Sequence, residues 1–536
     1  MQLKWTIHDP PRATVEKLMR GLKCNRIIAT ILANRGLKTP QQARAFVYPS
    51  LQDLRPPEGL KDMDAAVQRL YRAIQQVEKI LIFGDYDVDG VTATAILYEF
   101  LAHTGADVSC YIPHRVKEGY GLQPFHVTDT ALPQGVNLIV TTDCGSSSHE
   151  AVAAANQAGI DVIITDHHEL SGPLPQALAI LNPKRPDCRA GFDFLSGVGV
   201  TFYLLMALRR FLREQRFWVS KAEPNLKVMC DLVALGTVAD MVPLNAENRI
   251  MTRHGLDILK TGYRPGLEAL MQVSGIQKET LDTDDLAFRL APRINAAGRM
   301  DHADQALALL TADSLAAAEP LAQKLQRLNA ARQKNEKSLL DQIRSCLDSN
   351  PQLLTHRALV LGQTGWHPGI LGIVASRLVR MYHRPTVLIA IDGETGSGSA
   401  RSLAGLNLHA ALTSCSRHLI GFGGHALAAG LRIQTGQIDA FRRAFESTVT
   451  AMSTEADLTP TFMIDCELAF EEIDPDLIDA ITHLQPFGVD SPKPVFMSRD
   501  VHVASSQIVA NQHRRMVLRQ NAAAGHHFHA IQFNID

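Results

Sequence analysis

The sequence predicts an α/β protein of several domains, and three observations carry that prediction. Short β-branched runs end in Gly/Asp turns and hand over to helical stretches, at "KILIFGDYD" then "GVTATAILYEFLAHTG", at "VNLIVTTDCG" then "SSHEAVAAANQAG", and at "DVIITDHHE". The same alternation starts again at "RALVLGQTGWHPGILGIVASRLV". With 536 residues the chain is too long for one ordinary domain and has room for about three or four. Strands that alternate with helices pair in parallel through crossover helices, and such sheets bind ligands beyond the carboxyl ends of their strands.

Each region has its own justification. Residues 1–64 are helix-prone and Pro-punctuated, with "TVEKLMRGLK" and "TPQQARAFV" opening on Thr caps. A first α/β domain is predicted over 65–300, largely helical across 196–260. The Ala/Leu/Lys/Gln stretch over 302–347 predicts a long helix that Pro320 breaks or kinks, within a connecting segment 301–349. The second α/β domain covers 350–455. From "TFMIDCELAF" the chain turns strand-rich, with aromatic and His residues, so 456–536 reads as a β domain.

Composition narrows the function classes. Lys and Arg number 53 against 55 Asp and Glu, a formal net charge of -2. That balance excludes a general basic coat but leaves room for a local basic groove. Eight cysteines (24, 110, 144, 188, 230, 346, 415 and 466) are scattered without a C-x-x-C pair. Reduced thiols are therefore expected rather than a disulfide framework or zinc site. "MQLKWTIHDP" lacks the apolar core of a signal peptide, and no uncharged apolar run is long enough to span a bilayer, so a soluble, cytoplasmic protein is expected.

The chemistry concentrates where the first strands end. The first supplies Asp85, Asp87 and Asp89, the second Asp143, and the third Asp166, His167 and His168. Parallel strands share one carboxyl end, so these groups should converge. Carboxylates buried together repel one another unless cations neutralise them. Oxygens with an imidazole suit Mn²⁺, and Mg²⁺ accepts the oxygens. Asp240, in the apolar "DLVALGTVADMVPL", is a further candidate. A lone Asp after a strand is ordinarily a helix cap or a turn residue, Asp89-Gly90 could simply start the helix, and His167 could be a satisfied core histidine. That account has to hold at every strand end at once, and a metal explains them together.

"GDYDVDG", "TTDCG", "TDHH" and "ALGTVAD", in that order, resemble the DHH phosphoesterases, and "PRINAAGR" and "GFGGHALAAG" point within that superfamily to its single-strand-specific exonuclease branch. The resemblance runs from about residue 65 to 450. It implies two α/β domains, DHH and DHHA1, joined by a long helix around a central cleft, with a C-terminal OB-like domain. It also implies two divalent cations, Mn²⁺ or Mg²⁺. Carried over by motif, Asp85, Asp87, Asp143, His167 and Asp240 would be ligands, Asp89 a ligand or a group behind them, and His168 would face the scissile phosphate. Two ions about 4 Å apart can activate a water and stabilise the leaving oxygen of an in-line displacement.

The same resemblance makes Arg293, Asn295 and Arg299 of "FRLAPRINAAGRM" backbone contacts, where the residues alone read equally as a solvated helical face. Guanidinium forks fit phosphate oxygens. "GFGGHALAAG" alone is a Gly-rich turn before a helix; by resemblance Gly423, Gly424 and His425 line the substrate cleft as an anion cradle. His367, Arg377 and Arg401 are further candidates, while Trp366 serves either a base or the core. In the tail, His526, His527 and His529 read as a polar hairpin end, because no carboxylate or Cys sits at ligand spacing. The chain stops at "FNID", where relatives continue through further strands; a truncation, a reduced domain and an ending unlike the relatives' all stay open, and an incomplete barrel would leave an open sheet edge.

The implied activity is 5′-to-3′ digestion of single-stranded DNA to 5′ mononucleotides by two-metal phosphodiester hydrolysis, in recombination and DNA repair, with a helicase and a single-strand-binding protein as partners. Polarity and strand preference rest on the resemblance alone. Two other readings share these residues: a small-substrate phosphodiesterase acting on short oligonucleotides or cyclic dinucleotides, and a non-catalytic DNA-binding scaffold. Length, "PRINAAGR" and the β-rich tail argue against the first; the intact set of aspartates argues against the second.

Overall fold

The computed structural model describes residues 4–170, 172–510, 512–520 and 527–534. The chain forms two compact units, one of Met1–Asp53, Leu244–Arg249 and Pro460–Asp536, the other of Leu54–Pro243 and Ile250–Thr459.

The larger unit opens with a five-stranded sheet. Its spatial order is Asp107–Tyr111, Lys79–Gly84, Leu138–Thr142, Asp161–Thr165 and Ala179–Leu181, and every pair is parallel. The chain therefore winds one way from its first strand and then the other. The switch point lies between Lys79–Gly84 and Leu138–Thr142, where a doubly wound sheet leaves a crevice. The central strands are near-continuous apolar runs because both faces are covered. Helices Val88–Thr104, Gly197–Glu214 and Cys230–Ala239 pack on one another beside the sheet, and their apolar residues are mostly fully buried.

The connecting helix is Leu315–Ser349, capped by Ser314, which accepts from the Ala317 amide, and preceded by a separate short helix, Asp304–Leu310. It runs unbroken through Pro320, against the expected break. Pro320 sits in the second turn, where it and Ala316 are exposed, so water can satisfy the one carbonyl that loses its helical donor.

The second sheet is mixed, ordered Gly421–Gly424, Ala428–Gln434, Thr395–Arg401, Thr386–Asp392 and Leu359–Thr364; only the last two strands pair in parallel. Helices Pro368–Tyr382 and Ile438–Met452 cover it, with Phe441, Phe445 and Val449 fully buried. "GFGGHALAAG" forms a β-hairpin here, not a turn before a helix: Gly421–Gly424 pairs antiparallel with Ala428–Gln434. The small side chains leave the ladder, not side-chain packing, to decide the local structure.

In the smaller unit the N-terminal helices do not stand alone. Leu18, Ile27, Ile28, Ile31 and Leu32 bury their apolar faces against Cys466, Leu468, Leu477, Leu484 and Phe487. Lys4–Ile7 pairs in parallel with Thr461–Ile464. The strand-rich tail contributes a three-stranded antiparallel sheet, Val501–Val509, His513–Gln520 and His527–Gln532. His527 and His529 stand on its last strand with ring centroids 6.4 Å apart; His526 lies outside the described residues. Among the described residues no helix is long and apolar enough to cross a membrane, and all eight cysteines are unpaired thiols.

Candidate metal centre and nucleic-acid cleft

Strand register brings the acidic groups together. Gly84 pairs with Thr142, and Thr142 with Thr165, so three strands end level. Their next residues continue the ladder: Asp85, Asp143 and Asp166 donate their amides to the carbonyls of Thr142, Thr165 and Leu181 at 3.2, 2.8 and 3.0 Å. Asp143 then turns with φ 61°, a left-handed conformation uncommon outside Gly, Asn and Asp. The glycine Gly197 allows the approach, since a Cβ there would lie 2.4 Å from Asp143 Oδ1.

Three overlapping groups have donor atoms within 4.8 Å of one another: Asp85, Asp87 and Asp143; Asp89, His167 and Asp240; and Asp143, His167 and His168. Asp85, Asp89, Asp143 and His167 are buried. His167 Nε2 lies 3.2 Å from Asp143 Oδ1 and 3.5 Å from Asp240 Oδ2. Burial, and then repulsion from the neighbouring aspartates, pushes Asp85, Asp143 and Asp240 well above the carboxylate range and Asp89 up to about 7. Burial, reinforced by His168, pulls His167 down to about 3, which keeps its imidazole neutral. Asp85 Oδ1, Asp143 Oδ1 and both His167 ring nitrogens are buried without a hydrogen-bond partner. Unpartnered carboxylate oxygens beside a neutral imidazole make a donor set that fits divalent cations, and a cation would relieve the repulsion that the carboxylates carry.

Two aspartates also do ordinary work. Asp87 caps the helix Val88–Thr104 through Oδ1, which accepts from the amides of Asp89 and Gly90 at 3.0 and 3.1 Å. Asp89 accepts the Gly197 and Val198 amides at 2.6 and 3.0 Å, one on each oxygen, and so ties the start of the helix Gly197–Glu214 to the cluster.

Asp166 was legible as a strand-end acid but had no role in the sequence reading. It accepts the amides of Ser146, His167 and His168 and, at 2.8 Å, the Nδ1–H of His168. Against its burial, these bonds and the facing His168 hold the carboxyl below the usual range. Burial works against the His168 cation too, yet Asp166 raises it to about 9. With Nδ1 occupied, Nε2 is the nitrogen left for a ligand. Tyr120, on the loop after the edge strand, donates its hydroxyl to the Asp143 carbonyl at 3.2 Å and lies 3.1 Å from His168 Nδ1.

A cluster of guanidinium groups faces these acids. Arg299 reaches the carbonyl of Gly369 at 3.2 Å; burial, then Arg115 and Arg401, lowers it to about 9. Arg401 falls to about 10 through burial and Arg115. Arg115 lies over the Tyr86 ring at 4.5 Å, and the sequence reading missed it. Its signal is its place just past the carboxyl end of the edge strand. From the second sheet, His425 stacks on His168 with ring centroids 5.9 Å apart. Gly424, at φ 136°, would set a Cβ 2.4 Å from the Ala428 carbonyl, so the hairpin bend needs glycine; Gly423 beside it is exposed.

The remaining predicted contacts are placed differently. Arg293 donates to Gln326 at 2.7 Å and to the Arg289 carbonyl, while Asn295 Oδ1 is buried without a partner. Arg377 pairs with the fully buried Glu336 at 3.3 Å. His367 caps the helix Pro368–Tyr382 by accepting the Gly369 amide. Trp366 donates to Gln342 and packs against the apolar core below the connecting helix.

Three segments match known families: residues 79–237 the DHH family, N-terminal domain; 350–451 the DHHA1 domain; and 464–536 the RecJ OB domain. The single-stranded-DNA-specific exonuclease RecJ of Bacillus subtilis (strain 168) is 37% identical over 528 residues, 97% of this chain and 65% of that protein, so the chain spans just under two thirds of that relative's length. The RecJ of Salmonella typhimurium (strain LT2) is 37% identical over 95% of this chain and 89% of its own length. Among solved structures, RecJ from Thermus thermophilus in complex with Mn²⁺ superposes with a TM-score of 0.83 at 31% identity, covering 98% of this chain and 74% of that one.

Proposed function

We propose that this chain, which belongs to the RecJ family, is a metal-dependent exonuclease that hydrolyses single-stranded DNA to 5′ mononucleotides from the 5′ end. The observation that carries the reading is the cluster of buried, mutually repelling carboxylates around a neutral His167, facing a set of guanidinium groups. Asp85, Asp87, Asp143, His167 and Asp240 would hold two divalent cations, Mn²⁺ or Mg²⁺, with Asp89 bracing them from behind. Such ions supply Lewis-acid activation of a water and charge stabilisation at the leaving oxygen.

The chain's own groups do the rest. Arg115, Arg299 and Arg401 bind the terminal phosphate and so set where the strand end stops. Gly423, Gly424 and His425 close on the strand from the second sheet, and Arg293 and Asn295 steady its backbone. His168, oriented by Asp166, faces the scissile phosphate and delivers the Nε2 proton to the departing 3′ oxygen as the P–O bond breaks. His367 and Arg377 extend the contact surface near the connecting helix. Recombination and DNA repair are the matching cellular roles, with a helicase and a single-strand-binding protein as partners in the cytoplasm.

The test is digestion of a long single strand labelled at its 5′ or its 3′ end, with Mn²⁺, with Mg²⁺ and with EDTA, beside a blunt duplex. Early metal-dependent release of 5′ label as mononucleotide from the single strand alone is expected. Early loss of the 3′ label would reverse the polarity. Cleavage confined to very short substrates would replace the reading with a small-substrate phosphodiesterase.

A further inference from the structure

The loop over 112–123 carries both Arg115 and Tyr120 to the site, and a turn in which the Glu118 amide donates to the His114 carbonyl at 2.9 Å shapes its first half. Tyr120 lies between Gly119 and Gly121, at φ 84° and 78°, so the backbone around it is intrinsically permissive. A side-chain clasp at its foot ties the loop to the sheet. Glu118 Oε2 accepts the hydroxyl of Tyr111 at 3.0 Å and faces His126 Nε2 at 3.1 Å. His126 is buried, and its Nδ1 accepts the Gln123 amide at 2.9 Å. With Nδ1 occupied as an acceptor, Nε2 must carry the proton, so His126 donates to Glu118 as a neutral imidazole. Burial, which pulls the His126 pKa down, favours the same form.

The clasp is planted on the sheet. Phe83, on a central strand, stacks with Tyr111 at 5.7 Å and packs against His126 at 4.8 Å. Two residues past Phe83 comes Asp85, and between Asp85 and Asp87 lies Tyr86, which carries the Arg115 guanidinium on its ring. One strand therefore sets both the acids and the footing of the loop that faces them.

We infer that Glu118, through Tyr111 and His126, is a positioning residue that sets the distance between the terminal-phosphate site of Arg115 and the metal centre, and so governs discrimination between phosphorylated and unphosphorylated strand ends. The inference rests on the exonuclease reading for its substrate. It concerns neither metal binding nor the chemical step.

The experiment compares wild type, Glu118→Ala, Glu118→Gln and Tyr111→Phe on single strands ending in a 5′ phosphate or a 5′ hydroxyl. Glu118→Ala should raise KM for the phosphorylated strand about tenfold with kcat changed less than about twofold, while the hydroxyl-ended strand is little affected. Glu118→Gln keeps an acceptor oxygen and should restore wild-type discrimination. Tyr111→Phe keeps the stacking on Phe83 and should show a smaller loss. Mn²⁺ affinity by titration calorimetry should be the same in all four. Unchanged discrimination in Glu118→Ala, equal losses on both strands, or a wild type that treats both ends alike would overturn the inference. If wild type digests neither strand, the exonuclease reading fails, and anisotropy with the same two oligonucleotides decides the clasp: lost preference in Glu118→Ala supports it, retained preference overturns it.

Discussion

In the first sheet of the larger unit every strand runs the same way, and the chemistry-bearing residues crowd one edge as buried acids. In the second sheet the strands are mixed in direction, and what it offers the cleft is exposed glycine backbone, His425 and the half-buried Arg401. Parallel strands concentrate their carboxyl ends, so the first sheet can assemble a high local charge from residues far apart in sequence. Antiparallel pairing alternates ends and cannot do so, but its hairpin can bring bare backbone close to a ligand. On the proposed reading the contrast separates two tasks: the first sheet would perform the hydrolysis, and the second would grip and position the strand.

The sharpest way to break that division is Asp143→Asn, which keeps a residue tolerant of φ 61° and removes one charge from the cluster. Its kcat should fall by about 10³-fold or more, while in EDTA the folded protein should be as stable as wild type or more so. The sign follows from the raised pKa values. A carboxyl with a raised folded-state pKa contributes stability that is fully present below its unfolded value and is lost as pH rises. The metal-free wild type should therefore lose stability relative to Asp143→Asn as pH rises from about 4 to 7. Melting curves across that range would show it, and a variant less stable than wild type at about pH 7 would contradict it.

Next in size is Asp166→Asn, which keeps the shape of the site but leaves His168 without its charged partner. We expect kcat to fall by about 10²-fold with Mn²⁺ affinity retained, read by single-turnover kinetics beside calorimetry. Loss of the metal would mean that Asp166 belongs to the ligand set.

The second sheet should fail differently. Arg401→Ala should raise KM by about tenfold to a hundredfold and change kcat far less, because it removes a charged fork from the strand end. Gly424→Ala should cost about 1–3 kcal/mol of strain at a φ suited to glycine, seen as a lower Tm with weaker strand binding. If either variant lost kcat as steeply as Asp143→Asn, the two sheets would not divide the work as argued. Saturating Mn²⁺ should raise wild-type stability by about 2.7 kcal/mol at a hundredfold excess over Kd, and Asp143→Asn should gain less.

Much of this was written in residue order. Alternating β-branched and helical runs announced the α/β class, and acids at successive strand ends announced the site, because a parallel sheet leaves those ends nowhere else to go. Pro320 misled because a proline is judged locally as a breaker, whereas an exposed second turn tolerates it. The Gly-rich hairpin misled because glycine and alanine leave no periodic pattern to read. Arg115, Glu118 and His126 were silent for another reason: a lone Arg, Glu or His in a loop has no spacing that marks it.

The sequence by itself determined which groups are present and that the first strands end in charge. Only the tertiary structure decided how each is used. Strand register made Asp85, Asp143 and Asp166 level, and then side-chain hydrogen bonds sent them to different tasks, with Asp166 turned to His168 while Asp85 and Asp143 keep unpartnered oxygens. Arg377 faces Glu336, and His367 caps a helix. Spacing along a chain fixes which residues can meet, but the partner that each meets depends on packing between elements far apart in the chain, and that packing is not a property of any local stretch.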